Sequence, residues 1–335
     1  MTHTAIDIHT HIVPADIPAY GGSHGGARWP QMAAAHDCHH KNVMIEGKNF
    51  RTVTDECWDV ARRIEAMERM GIARQVLSPM PELLSYWLPT EDALALGRHV
   101  NGTIAEMMAR APDRFLGLGT VPMQDPDLAA REIETLMDDG FRGIEIGSNI
   151  NGAPPGDPKF EPVFAAAEEH GAAIFVHALH PSGKERIVGP PGLMAYIGFP
   201  LDTAYAIASL MTGGTLTRHP KLRIAFSHGG GAFASILPRL AHGWGHKPDF
   251  AKLIGASPFE QARKLYYDTL VYDPPTLRFL IERFGKTQLC VGTDFPFDIH
   301  ERKPIEAIAA LELSAPDVKL LHHDNAARFL GEPAP

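Results

Sequence analysis

The sequence has little of what marks a membrane, secreted or nucleic-acid-binding protein. No apolar run approaches the ~18–20 residues of a spanning helix. The start, Met1-Thr2-His3-Thr4, lacks the basic segment and apolar run of a secretory leader. Cysteine is scarce: Cys38, Cys57 and Cys290 are odd in number, far apart and match no zinc-finger spacing. That excludes a disulfide framework and points to a reduced, cytoplasmic setting. Basic residues are outnumbered, 31 against 40 acidic, for a net charge of −9. This argues against nucleic acid or an anionic membrane as the main partner. No glycine-rich phosphate turn follows the first apolar run, and there is no internal repeat or low-complexity tract.

What is present is an ordinary core-forming composition over 335 residues, 44% hydrophobic and 21% charged. Eight short apolar runs read as strands: Ala5–Ile8, Arg74–Ser78, Arg114–Val121, Gly143–Gly147, Ala173–His177, Arg223–Ser227, Leu265–Leu270 and Gln288–Gly292. Stretches such as A-A-I-F-V and L-R-I-A-F are near-continuously apolar, as parallel strands buried on both faces require. Segments with helical spacing lie between them. In Asp59–Met70, Val60, Ile64 and Met67 share a face and Gly71 supplies a stop. Pro126–Met137, Glu161–His170, Leu201–Met211 and Pro275–Phe284 repeat the theme. Eightfold strand–helix alternation predicts an α/β protein with a (β/α)₈ TIM barrel, in one domain over 1–335. Two insertions interrupt it: 12–53 after strand one, rich in Gly, His and Pro, and the 178–200 loop after strand five. Both fall at the C-terminal mouth, where barrel enzymes keep their chemistry.

Polar residues at strand ends therefore carry the functional reading. The first strand runs into His9-Thr10-His11, and strand alternation puts both imidazoles on one face. Alone the pair means little, since 18 histidines supply about one H-x-H by chance. Its company changes that. Strand five ends at His177, strand six at His228 and strand eight at Asp294. Three histidines and a carboxylate suit one divalent ion, Zn²⁺ first, with Mn²⁺ or Co²⁺ as substitutes. The H-D-C-H-H stretch (36–40) is expected to be a polar loop, because its histidines lack the spacing of strand or helix ligands.

Closer fragments narrow the reading. G-K-N-F-R (47–51), W-D-V-A-R-R-I-E-A-M (58–67), S-H-G-G-G-A-F-A (227–234), G-T-D-F-P-F (292–297) and N-A-A-R-F-L-G (325–331) are similar to those of the amidohydrolase superfamily. Within it they resemble the 2-amino-3-carboxymuconate-6-semialdehyde decarboxylase family. The resemblance implies metal ligation by His9, His11, His177 and Asp294, with no organic cofactor. It implies His228 as an acid/base beside the metal, with Asp294 also catalytic. Arg51 would grip a substrate carboxylate, and Arg239 would be supplied across a homodimer interface. The implied activity is nonoxidative decarboxylation of a small unsaturated or aromatic carboxylic acid. A metal-dependent amide or lactone hydrolase is the alternative, with one ion or with two: other branches of the superfamily bridge two metals through a strand-four carboxylate, a part that Glu145 would play here with His177 and His228 holding the second ion. One departure leaves the substrate open between carboxymuconate semialdehydes and hydroxybenzoates. After His177 the family continues Pro-Trp, whereas here it is Ala178-Leu179-His180-Pro181, and no Trp occurs through residue 200.

Overall fold

The first apolar run continues well past Ile8: strand β1 spans Ala5–Ile12 and is buried along its whole length. Flanking strands on both sides sequester even its polar residues. A computed structural model describes residues 4–332, so Met1–His3, read above for a leader, lie outside the described residues. After β1 the chain forms β2 (Gln31–Ala34), β3 (His40–Ile45) and β4 (Lys48–Thr54). It then alternates strand with helix through β5 (Ile72–Pro79), β6 (Phe115–Gly119), β7 (Gly143–Gly147) and β8 (Ala173–His177). β9 (Arg223–Phe226), β10 (Tyr266–Asp268) and β11 (Leu289–Cys290) complete the series.

Eight strands pair in the order β1-β5-β6-β7-β8-β9-β10-β11, all parallel. The edges meet where the Ile8 amide donates to Val291 O at 2.9 Å and the His11 amide to Phe295 O at 2.7 Å. This is the expected TIM barrel. β10 and β11 are shorter than their apolar runs, because the chain leaves the ladder early to serve the strand ends. The Leu270 amide donates to the Asp268 carboxylate, not to a neighbouring strand.

Local signals set the helices. Asp59 caps Val60–Met70 by accepting from the Arg62 amide at 3.0 Å, and Gly71 ends it at φ 74°, where a Cβ would clash. Asp125 and Asp273 cap Pro126–Asp138 and Pro274–Phe284 in the same way. Among the described residues no helix is long and apolar enough to cross a membrane.

The segment between β1 and the first helix is not only loop. β2, β3 and β4 form a three-stranded antiparallel sheet in the order β2-β3-β4, which places Arg51 on β4 opposite Val43. After β8, residues 178–200 hold a single turn at Lys184–Arg186 and a wider one at Met194–Gly198. The latter runs into the helix Phe199–Thr212.

Candidate metal centre

Four side chains converge at the C-terminal mouth. One ligand atom each from His9, His11, His177 and Asp294 lies within 4.8 Å of the others, and all four residues are buried. β1 supplies two imidazoles because its alternation points both inward. β8 ends on the third. The fourth group needs an unusual backbone: Asp294 sits at φ +64°, its amide donating to His9 O at 2.8 Å.

The remaining nitrogens fix the tautomers. His9 Nδ1 lies 2.6 Å from Asp268 Oδ2, His11 Nδ1 2.9 Å from Pro79 O and His177 Nδ1 2.8 Å from Ala178 O. Each Nδ1–H thus donates, and each Nε2 turns to the centre. There Nε2 of all three histidines and Oδ1 of Asp294 are buried without a hydrogen-bond partner. His11 Nε2 comes within 3.0 Å of Asp294 Oδ1 without the alignment of a bond. An unpaired buried polar atom costs roughly 1–3 kcal/mol. Four of them aimed at one point fit a divalent cation, and three nitrogens with one carboxylate suit a borderline ion.

Electrostatics point the same way. Burial holds His11 below the ordinary imidazole range and His177 well below it, leaving their lone pairs free. Burial opposes charge on Asp294 as well, but the His11 contact and the charge of neighbouring imidazoles outweigh it and keep the carboxylate ionised. His9 is the exception. Burial disfavours its charge, yet the Asp268 bond and the Asp294 and Glu145 carboxylates push it up to about 9. A bound cation would take over the positive charge that His9 carries there, displacing its Nε2 proton.

His228 follows β9 at φ +56°, its ring centroid 5.4 Å from His9 and 5.1 Å from His177. Its Nδ1 is buried and unpartnered, and it is not among the four converging ligands. Burial, then the charge of His9, pushes it down to about 4. Arg51 reaches the mouth from β4, with its guanidinium 4.1 Å above the Phe297 ring. Phe297 in turn stacks on His11 at 5.1 Å between centroids. Arg51, Tyr196 and Phe297 line a cavity of about 300 Å³. A larger one of about 910 Å³ lies around Ser148, Asp202 and Tyr205; neither cavity is lined by one of the four ligands, but the smaller includes Phe297, which stacks on His11, so it is the better candidate for substrate. Arg239 is not brought to the site. It is exposed on the helix Phe233–His246 and shares no hydrogen bond, ion pair or ring contact with the cluster. Glu145 is fully buried on β7, 3.8 Å from His11 Nδ1, the face turned away from the centre, and it stands outside the four.

Sequence reasoning missed Asp268. This fully buried carboxylate ends β10 and takes four donors: His9 Nδ1 and the His228 amide on Oδ2, the Gly229 and Leu270 amides on Oδ1. Its signal was an acid inside the apolar run Leu265–Leu270. Arg63 was also missed. Buried beneath β1, it donates to His11 O, Glu56 O, Thr10 Oγ1 and Gln75 Oε1, and so braces the strand that carries both histidines.

Known proteins share this architecture. Residues 6–331 match the family model described as amidohydrolase. The chain is 37% identical over 331 residues to 2-amino-3-carboxymuconate-6-semialdehyde decarboxylase of Dictyostelium discoideum, covering 97% of this chain and 91% of that one. Among solved structures, 5-carboxyvanillate decarboxylase from Sphingomonas paucimobilis superposes with a TM-score of 0.76 at 28% identity, over 83% of this chain and 85% of that one. The enzyme of the same name from Novosphingobium aromaticivorans, complexed with manganese and 4-hydroxy-3-methoxy-5-nitrobenzoic acid, gives 0.74 at 26% identity, over 83% and 82%.

Proposed function

This chain belongs to the amidohydrolase family, and from that premise we propose that it is a carboxy-lyase, a metal-dependent nonoxidative decarboxylase of a small unsaturated or aromatic carboxylic acid. The observation that carries the reading is the likeness, along almost the whole chain, to a carboxymuconate-semialdehyde decarboxylase. The four converging, unpartnered ligand atoms supply a site for such chemistry.

His9, His11, His177 and Asp294 would hold one divalent ion, with zinc our assignment and manganese or cobalt as replacements. When bound, such an ion supplies Lewis acidity and a fixed positive charge toward the substrate's carboxylate or a neighbouring oxygen. Arg51 orients the substrate. Its guanidinium, 4.1 Å from the centre of the Phe297 ring, offers a bidentate fork to an anionic group at the mouth. His228 handles the proton, because its Nδ1 is buried and bound to nothing else. A proton added to the carbon bearing the carboxylate interrupts conjugation. Cleavage of the bond to the carboxylate carbon then releases CO₂ and returns the electron pair to the unsaturated system.

Arg239 would act only in a homodimer, reaching the partner's mouth from its exposed helix. Three free, dispersed cysteines support a cytoplasmic setting for this single barrel domain.

A panel of candidate acids tests the proposal: a carboxymuconate semialdehyde, dihydroxybenzoates and carboxyvanillate, assayed for CO₂ release before and after metal loading. Metal-dependent CO₂ release from one of them is expected. Ring opening of lactones with no CO₂ from any acid would establish the hydrolase instead.

A further inference from the structure

The H-D-C-H-H stretch is the polar turn expected, but its side chains converge. β2 and β3 pair as far as Ala34 opposite Lys41, so six residues, 35–40, turn the chain between them. In that turn His36 and His40, four positions apart, lie with ring centroids 4.5 Å apart. Asp37 stands between them, with Oδ1 2.7 Å from His40 Nδ1 and Oδ2 3.3 Å from His36 Nε2. One ligand atom from each of the three falls within 4.8 Å of the others. The backbone rather than strand or helix spacing brings them together, which is why the residue pattern alone reads as a polar turn.

The turn is anchored from both sides, and one hydrogen bond already joins two of these groups, His40 Nδ1 to Asp37 Oδ1 at 2.7 Å, which an ion would replace. The His39 amide donates to Asp37 Oδ1 at 2.8 Å, and the His39 ring bonds the Asp55 carboxylate at 2.7 Å. The Asp55 amide closes the loop on His39 O at 2.8 Å. Lys41, next in the chain, is held by Ala15 O and Asp16. His36, Asp37 and His40 therefore face solvent from a fixed base. That lowers the ordering cost of binding an ion.

We propose that His36, Asp37 and His40 form a second, surface metal site that takes a zinc-class divalent ion. Two imidazoles and one carboxylate select zinc, copper, nickel or cobalt over magnesium and calcium, which want oxygen alone. Solvent completes the coordination, so the site binds more weakly than a closed four-ligand cage. An ion here clips shut the β2–β3 turn of the sheet whose β4 strand carries Arg51.

The test uses tag-free, full-length protein in a Cys38→Ser background, which removes the exposed thiol at the turn as a ligand. Protein is equilibrated with Zn²⁺ and the ion count per chain is measured before and after the double change His36→Ala/His40→Ala. The expected result is a loss of one ion per chain, with thermal unfolding otherwise unchanged in excess chelator. Because the difference is read and not the total, failure of the buried cluster to bind would not disturb it. His242→Ala is the control, since His242 and His246 form another exposed pair with centroids 4.0 Å apart. An equal count before and after the double change, or a loss with His242→Ala instead, would overturn the proposal.

Discussion

Asp268→Asn should weaken the metal centre's hold on its ion roughly 10–100-fold while leaving its four ligands in place. The reason lies in how Asp268 is used. Both carboxylate oxygens are acceptors, and each takes two donors: His9 Nδ1–H and the His228 amide on Oδ2, the Gly229 and Leu270 amides on Oδ1. An asparagine must put its NH₂ on one side. Facing Gly229 and Leu270, it opposes two backbone donors that cannot turn away. Facing His9, it opposes the His228 amide and drives the His9 proton onto Nε2, the atom that must be free for a cation. Either way the site loses a charge-assisted bond of roughly 1.5–3 kcal/mol. Groups that orient a metal-binding histidine typically cost 10–100-fold in affinity when changed. The expected loss is about 1.4–2.8 kcal/mol of binding free energy. Chelator competition on purified protein, read by metal analysis, measures it, with circular dichroism to check the fold. Wild-type affinity in Asp268→Asn would refute the idea that this carboxylate sets the His9 tautomer.

Three other changes probe the same surroundings. A Cβ on Gly292 would lie 2.5 Å from Asp268 Cβ and 3.0 Å from His9 Cβ, so Gly292→Ala must displace both. Overpacking of this kind costs about 1–3 kcal/mol, and the unfolding midpoint and metal affinity should fall together. Arg51→Ala should raise KM roughly 10–100-fold, the value of a charge-assisted hydrogen bond to the substrate, with unchanged metal content. A KM at the wild-type value would remove Arg51 from substrate binding. His228→Ala should lower kcat by about 10²–10⁴ and keep the metal, and loss of the metal would make His228 a ligand.

The barrel and most of the centre were legible because both depend on where apolar runs end. β7 and β8 match their runs residue for residue, since each is buried along its whole length and ends on Gly147 or His177. His9, His11, His177 and Asp294 could be found as strand-end polar groups without knowing a single contact. Asp268 could not, because it looks like one more residue inside an apolar run until its donors are seen. The sheet of β2–β4 was hidden for a different reason. Its strands carry mixed polar residues and are half exposed, so no apolar alternation marks them. Arg239 shows the limit of a single chain: its helix position is clear, while its role depends on a surface that only a partner could supply.

The backbone at the mouth gives a last test of what the site requires. His228 and Asp294 both adopt positive φ, +56° and +64°, a region that costs a residue with a Cβ roughly 1–3 kcal/mol. Neither can relax. The His228 amide and its neighbour Gly229 are tied to Asp268, and the Asp294 amide is tied to His9 O. The strain turns one imidazole and one carboxylate out of their strand ends, where a relaxed strand would have continued past the site. Two variants at one position separate this strain from the lost side chain. His228→Ala and His228→Gly both remove the imidazole, but only glycine accepts the left-handed backbone freely. Glycine's extra freedom in the unfolded chain returns roughly 0.5–1 kcal/mol of that gain. In chelator, the glycine variant should be the more stable by about 1 kcal/mol, or about 2 °C in midpoint. Both should be equally inactive. An alanine variant as stable as the glycine one would mean that the backbone at His228 is held without cost.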